Sequence, residues 1–170
     1  MNKQNKHKTF FLAVLIPLFI LLAMTIKPQA TVLFGKEILL ETKAIDPTDL
    51  FRGDYVSVSL AISDVSKSKV PLPIDKVSNK NLYVSLKQEG KYYIVDQVSE
   101  NRPKQGAYLK GKFQNTYNES DVFHVDYSLD KYFLEQGSGK ELQQKSQSGE
   151  LVGTVRVLGG YGVLTSIAPR

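Results

Sequence analysis

The chain has 170 residues, 22 of them basic and 17 acidic, with a net charge of +5 and no cysteine. That composition excludes a disulfide framework, a thiolate metal site and a cysteine nucleophile. Lys3, Lys6, Lys8 and Lys27 are four of the 22 basic residues, leaving 18 against 17 acids beyond residue 30. The excess charge is therefore a topology signal, and it gives no support to nucleic-acid binding.

A basic cytoplasmic tail, residues 1–8, runs into an apolar segment over 10–26 that only Pro17 and Thr25 interrupt. Seventeen residues at ~1.5 Å each make roughly 25 Å of helix, against a hydrocarbon core of ~30 Å. Thr9 and the snorkelling ammonium of Lys27 make up the difference, which predicts a transmembrane anchor over 9–27. An isolated proline is tolerated there. The competing reading is a cleaved signal peptide, whose apolar region is ~7–15 residues and ends at a small-x-small site. Here the run is longer, its best small pair (Ala23-Met24-Thr25) lies inside it, and Pro28-Gln29-Ala30 is a poor site, so a retained anchor is expected. Three lysines precede the span and no charge follows it through Gly35. The positive-inside bias then puts the N-terminus in the cytoplasm and the rest outside, in the cell membrane.

Residues 31–170 suit one extracytoplasmic domain with a single core. Alternation of period two predicts strands over 37–43, 55–62, 82–87, 92–99, 107–113, 122–129, 151–158 and 161–167. In the second of these Val56, Val58, Leu60 and Ile62 share a face. Glu89-Gly90 reads as a tight turn, and Gly159-Gly160 supplies positive φ for a hairpin turn. The polar stretch 63–80 reads as an exposed connection, and Ser138 with Glu141 resembles a capping box opening a short helix. The fold class is all-β or β-dominated α+β: one transmembrane helix, then an antiparallel β-sandwich or partly open barrel.

The densest unusual segment is 45–55, which holds Asp46, Asp49, Arg52, Gly53, Asp54 and Tyr55 ahead of a strongly alternating strand. Gly53-Asp54-Tyr55, continued by Val58, Leu60 and Ile62, resembles the motif of the GDYXXLXY family of uncharacterised bacterial membrane-anchored proteins. Val58 stands at the usual leucine and Leu60 at the usual second tyrosine, which removes a phenol. Downstream, residues 131–137 (Lys-Tyr-Phe-Leu-Glu-Gln-Gly) resemble the family's second block, with Glu135-Gln136 in place of Pro-Glu. The resemblance implies an anchored extracytoplasmic domain with no established activity, associated with a multi-pass membrane protein.

Two readings of the motif stand side by side. In the structural one Gly53 permits a turn or bulge, Asp54 accepts backbone N–H bonds, and Arg52 pairs with Asp46 or Asp49. In the other, Arg52 and Tyr55 are recognition side chains, as both types are enriched at binding hot spots. Tyr132 and Phe133 read first as core and edge aromatics. No cofactor or metal is implied: the acids lack a calcium-loop spacing, and His124 alternates with Phe123 and Val125 as an outward polar residue. The enzymatic alternative is a degenerate signal-peptidase-like anchored hydrolase, since 47–58 loosely resembles the nucleophile region of those enzymes. There the serine position falls on Ala44, and the base would fall to Lys110 or Lys112; without a nucleophile that mechanism does not run. The expectation is a binding or accessory module, held by the lipid bilayer and partnering a multi-pass membrane protein.

Overall fold

The computed structural model describes residues 3–44, 55–114, 121–133, 145 and 148–170. Helix α1, Lys3–Phe34, is apolar all round between residues 11 and 26 and contains Pro17 and Pro28. Its stretch Phe11–Phe34 is long and apolar enough to cross a membrane, and none of that stretch's most apolar window is buried in the protein. The helix continues past Lys27 and ends against the β-domain without a linker. Gly35 N–H donates to Thr31 O at 2.9 Å, closing the last turn, and strand β1, Lys36–Lys43, begins at the next residue.

The last turn of α1 carries no basic side chain of its own. Arg156 supplies one from strand β10, Leu151–Leu158: its guanidinium donates to Gly35 O at 3.2 Å and pairs with Glu37 at 2.8 Å. A cation at that end satisfies a free carbonyl and complements the helix dipole. Thr31 is fully buried and donates its hydroxyl to Lys27 O at 2.9 Å, so it seats the helix on the domain without an unpaired polar atom.

Eleven strands occur among the described residues, and all the paired strands are antiparallel. Besides β1 and β10 they are β2, Tyr55–Ser57; β3, Ser59–Leu60; β4, Asp64–Ser66; β5, Asn81–Glu89; and β6, Tyr92–Ser99. The others are β7, Ala107–Phe113; β8, Val122–Asp126; β9, Lys131–Phe133; and β11, Tyr161–Pro169. They form a four-stranded sheet in the order β11-β10-β1-β3, a five-stranded sheet β4-β8-β7-β5-β6, and a ribbon β2-β9. These sheets curl into one nearly closed barrel and one half-barrel, the partly open barrel of the sequence expectation.

One face of most long strands supplies the core, whereas β11 is half-buried along most of its length. Ile38 and Leu40 of β1, Leu82 and Val84 of β5, and Leu151 and Val155 of β10 are buried at alternate positions. Each such side chain contributes about 1.5–3 kcal/mol when fully withdrawn from water. Thr42, the next inward position of β1, is also buried, and its hydroxyl bonds Leu151 O at 2.8 Å and Leu151 N at 3.2 Å. The Gly159-Gly160 turn has φ of +61° and +85°, as a two-residue hairpin between Leu158 and Tyr161 requires. Gly90, at +61°, turns β5 into β6.

Three stretches depart from the sequence expectation. The predicted strand 55–62 changes partner in its middle: β2 pairs with β9, β3 pairs with β1, and a 3₁₀ turn over Ala61–Ser63 ends it. The predicted strand 122–129 stops at Asp126, because Ser128 takes φ +57° and its N–H is held by Asp126 Oδ1 at 2.7 Å. Residues 63–80 are not a plain exposed loop. They contain β4, a 3₁₀ turn Lys67–Lys69 and helix α2, Ile74–Val77, and they bury Val65, Val70 and Val77. Isolated valines among polar residues carry no periodicity, yet each is a plug for the core. The capping box over 138–146 lies outside the described residues apart from Lys145.

Gly35 has no room for a side chain. A Cβ there would lie 2.3 Å from Thr31 O and 3.0 Å from Val157 N, both backbone atoms. Gly35→Ala is expected to lower the stability of the full chain in detergent by about 1–3 kcal/mol through overpacking. Thermal unfolding measures it, and an unchanged midpoint would contradict the close junction.

Candidate functional site

The two motif blocks of the sequence meet in space. Strand β2 pairs with β9 in the register Tyr55↔Phe133, Val56↔Tyr132 and Ser57↔Lys131. The pairing is extended by Val58 N–H, which donates to Asp130 O at 2.8 Å. At Val58 the chain leaves this ribbon for β1, where Leu60 pairs with Thr42 and Ser59 with Lys43. The motif strand is therefore a corner between the ribbon and the four-stranded sheet. Val58, Leu60 and Ile62 are all buried, so the alternation read from sequence holds through the corner.

The side chains of the second block divide. Tyr132 packs against the core and donates its hydroxyl to Thr165 O at 3.4 Å, tying the ribbon to β11. Phe133 is 73% exposed. Tyr127 sits under the corner, with its hydroxyl on Ile62 O at 3.1 Å. Burial pushes its phenol well above the ordinary range, so it stays a neutral donor. Asp46, Asp49, Arg52, Gly53, Asp54 and Glu135 lie outside the described residues. Tyr55 enters only through its backbone in β2.

A cavity of about 430 Å³ opens beside the corner, lined by Ser57, Ser59, Ser63, His124, Asp126 and Asp130 among others. At its edge stands a charged cluster that sequence reading did not assemble. Asp64 of β4 bonds Lys43 of β1 through one carboxylate oxygen and His124 Nδ1 of β8, at 3.1 Å, through the other. Partial burial raises the Asp64 carboxyl, but hydrogen bonds and charge from Lys43 and His124 outweigh it and hold the group below its ordinary value.

A histidine held by a carboxylate is half of a hydrolytic triad. Among the described residues no hydroxyl bonds its other ring nitrogen, and the second oxygen of Asp64 is committed to Lys43. The arrangement acts as a clamp between the two larger sheets. His124 faces outward as expected. Its partner was legible only as one acid among 17, because 60 positions separate the two residues.

The residues of the peptidase pattern are not brought together. Ala44 follows the far end of β1, whereas Lys110 donates its backbone N–H to Gly160 O at 2.8 Å, at the hairpin tip beyond the near end of that strand. Lys110 and Lys112 project from the exposed face of β7 into a second cleft, of about 380 Å³, with Lys27 and Tyr161. Among the described residues no group of three or more acidic or histidine side chains is placed to hold a metal ion.

The pH response of the clamp has a definite sign. A carboxyl held below its ordinary value of 3.8 contributes stability that is fully present above about pH 4 and is lost as pH falls through the folded-state value. Asp64→Asn is expected to flatten acid unfolding below pH ~4 while costing less than about 1 kcal/mol at pH 7, since the pair is solvent-screened. Urea unfolding at pH 7 and pH 3 measures both. Equal pH dependence in mutant and parent would contradict the clamp.

The model of the family described as GDYXXLXY protein matches residues 17–167. No curated protein and no solved structure matches the chain. The chain belongs to the GDYXXLXY family.

Proposed function

We propose that the protein is a membrane-anchored accessory module, with α1 crossing the bilayer and the β-domain held outside to bind a multi-pass membrane protein. The observation that carries this reading is the unburied apolar helix that runs directly into the domain. A helix that is hydrophobic all round requires an apolar surrounding, and the domain covers only its last turns. Lys3, Lys6 and Lys8 before the span, against Lys27 alone at its far end, support an N-terminus in the cytoplasm.

The binding surface assigned to the partner is the outer side of the motif ribbon. Phe133 is exposed there, and Tyr55 lies opposite it in register. Arg52 precedes Tyr55 by three residues. Aromatic and arginine side chains are the types that dominate interface energetics. The Asp64–His124 pair does not favour an enzyme, because among the described residues no nucleophilic hydroxyl is hydrogen-bonded to His124.

Two measurements test this reading. A reporter that is active only outside the cytoplasm, fused after Arg170, is expected to be active, and N-terminal sequencing of the membrane fraction should begin at residue 1 or 2. A mature chain starting near residue 24 or 31 would contradict retention. Arg52→Ala with Tyr55→Ala, and separately Phe133→Ala, should leave the domain folded yet reduce partner co-purification from detergent by well over tenfold, the loss of about 2–4 kcal/mol at a hot spot. Undiminished recovery with all three changed would place the partner elsewhere.

A further inference from the structure

The hairpin tip of β10 and β11 gathers positive charge from two separate parts of the chain. Lys27 of α1 lies with its ammonium 4.4 Å from the centre of the Tyr161 ring. Lys110 and Lys112 occupy successive outward positions of β7, which the isolated bridge Leu109↔Gly160 holds against the same tip. Together they line a cleft of about 380 Å³, whose walls also present Asn81, Ser128 and one carboxylate, Asp126. The size falls in the ~300–1,000 Å³ range of small-ligand sites. Three ammonium groups against one carboxylate leave a positive cleft, on a domain whose charges otherwise nearly balance.

The position of the cleft along α1 decides what fills it. Lys27 follows the apolar segment 10–26 directly. With that segment in the hydrocarbon, Lys27 and the hairpin tip docked on it stand at headgroup depth. Lysine and tyrosine are the residue types that favour this zone, and basic pockets beside a membrane helix attract lipid phosphates. We propose that this cleft binds the headgroup phosphate of an anionic glycerophospholipid, with Lys27, Lys110 and Lys112 on the phosphate oxygens and Asn81 and Ser128 as donors beside them. The inference rests on the anchored reading above.

The test uses the full chain in nanodiscs of zwitterionic phosphatidylcholine, with or without anionic phosphatidylglycerol, and acetylation of lysines as the readout. In the unmutated chain, phosphatidylglycerol is expected to protect Lys27, Lys110 and Lys112 at least fivefold and to leave Lys76 unchanged. The triple variant Lys27→Gln, Lys110→Gln, Lys112→Gln should also retain at least fivefold less phosphatidylglycerol on extraction into neutral detergent, about one lysine's worth of surface attraction or more. Lys76→Gln with Lys87→Gln, outside the cleft, should retain as much as the parent. Equal protection in both disc types, in a chain that stays inserted, would overturn the headgroup site and leave the anchor intact. Equal protection by millimolar inorganic phosphate in phosphatidylcholine discs would overturn the lipid as its source. A chain washed from the membrane by carbonate would overturn the anchored reading itself. Because protection is read on the unmutated chain, a triple variant that fails to fold does not remove the test.

Discussion

The structure depends on the contact between Gly35 and the backbone of Val157. Because Gly35 lacks a side chain, the end of α1 approaches β10 closely enough for Arg156 to reach the terminal carbonyl. The same approach starts β1 at Lys36, opposite Val157, and so sets the register that carries Ile38 and Leu40 inward. In a strand a slip of one residue exchanges the buried and exposed faces. The junction thus fixes two things at once: the packing of the four-stranded sheet and the direction in which the helix leaves it. A flexible linker would have fixed neither.

Rigidity at that point has consequences for whatever the domain binds. The helix lies along the β10–β11 hairpin, which brings Lys27 to Tyr161 and the outward lysines of β7 to the same cleft. The motif ribbon is fastened separately, through Tyr132 to β11 and through the corner at Val58 to β1. Both family blocks therefore report on a single construction, a strand that changes partner. That accounts for the apolar positions of the motif, Val58, Leu60 and Ile62, by packing alone. Tyr132 likewise belongs to the fold, and Arg52, Tyr55 and Phe133 are the residues proposed for recognition.

Much of the architecture was legible because most of the long strands of this domain bury one face. Alternation located β1, β5, β6, β7, β10 and β11 closely, and Gly159-Gly160 marked its hairpin by the positive φ that both positions adopt. What escaped was short or non-local. Strands β4 and β9 have three residues each, too few for a period to register. The break inside 55–62 is caused by competition between Asp130 and Thr42 for successive parts of one strand, and neither is a neighbour in sequence. The candidate sites were less legible than the fold for the same reason. Lys43, Asp64 and His124 form one cluster, as do Lys27, Lys110 and Lys112, yet each member taken alone looks like an ordinary surface residue.

Helix and domain form one unit through Thr31 and Gly35. Because the chain contains no cysteine, Gln29→Cys with Gln97→Cys places spin labels at one exposed position on α1 and one on β6 and nowhere else. Pulsed electron–electron resonance on the full chain in nanodiscs then measures the distance between them. A single narrow distribution is predicted, as a helix seated on Thr31 and Gly35 requires. A broad distribution would mean that the domain swings freely on its anchor, and the junction at Gly35 would not be the constraint on which the structure depends.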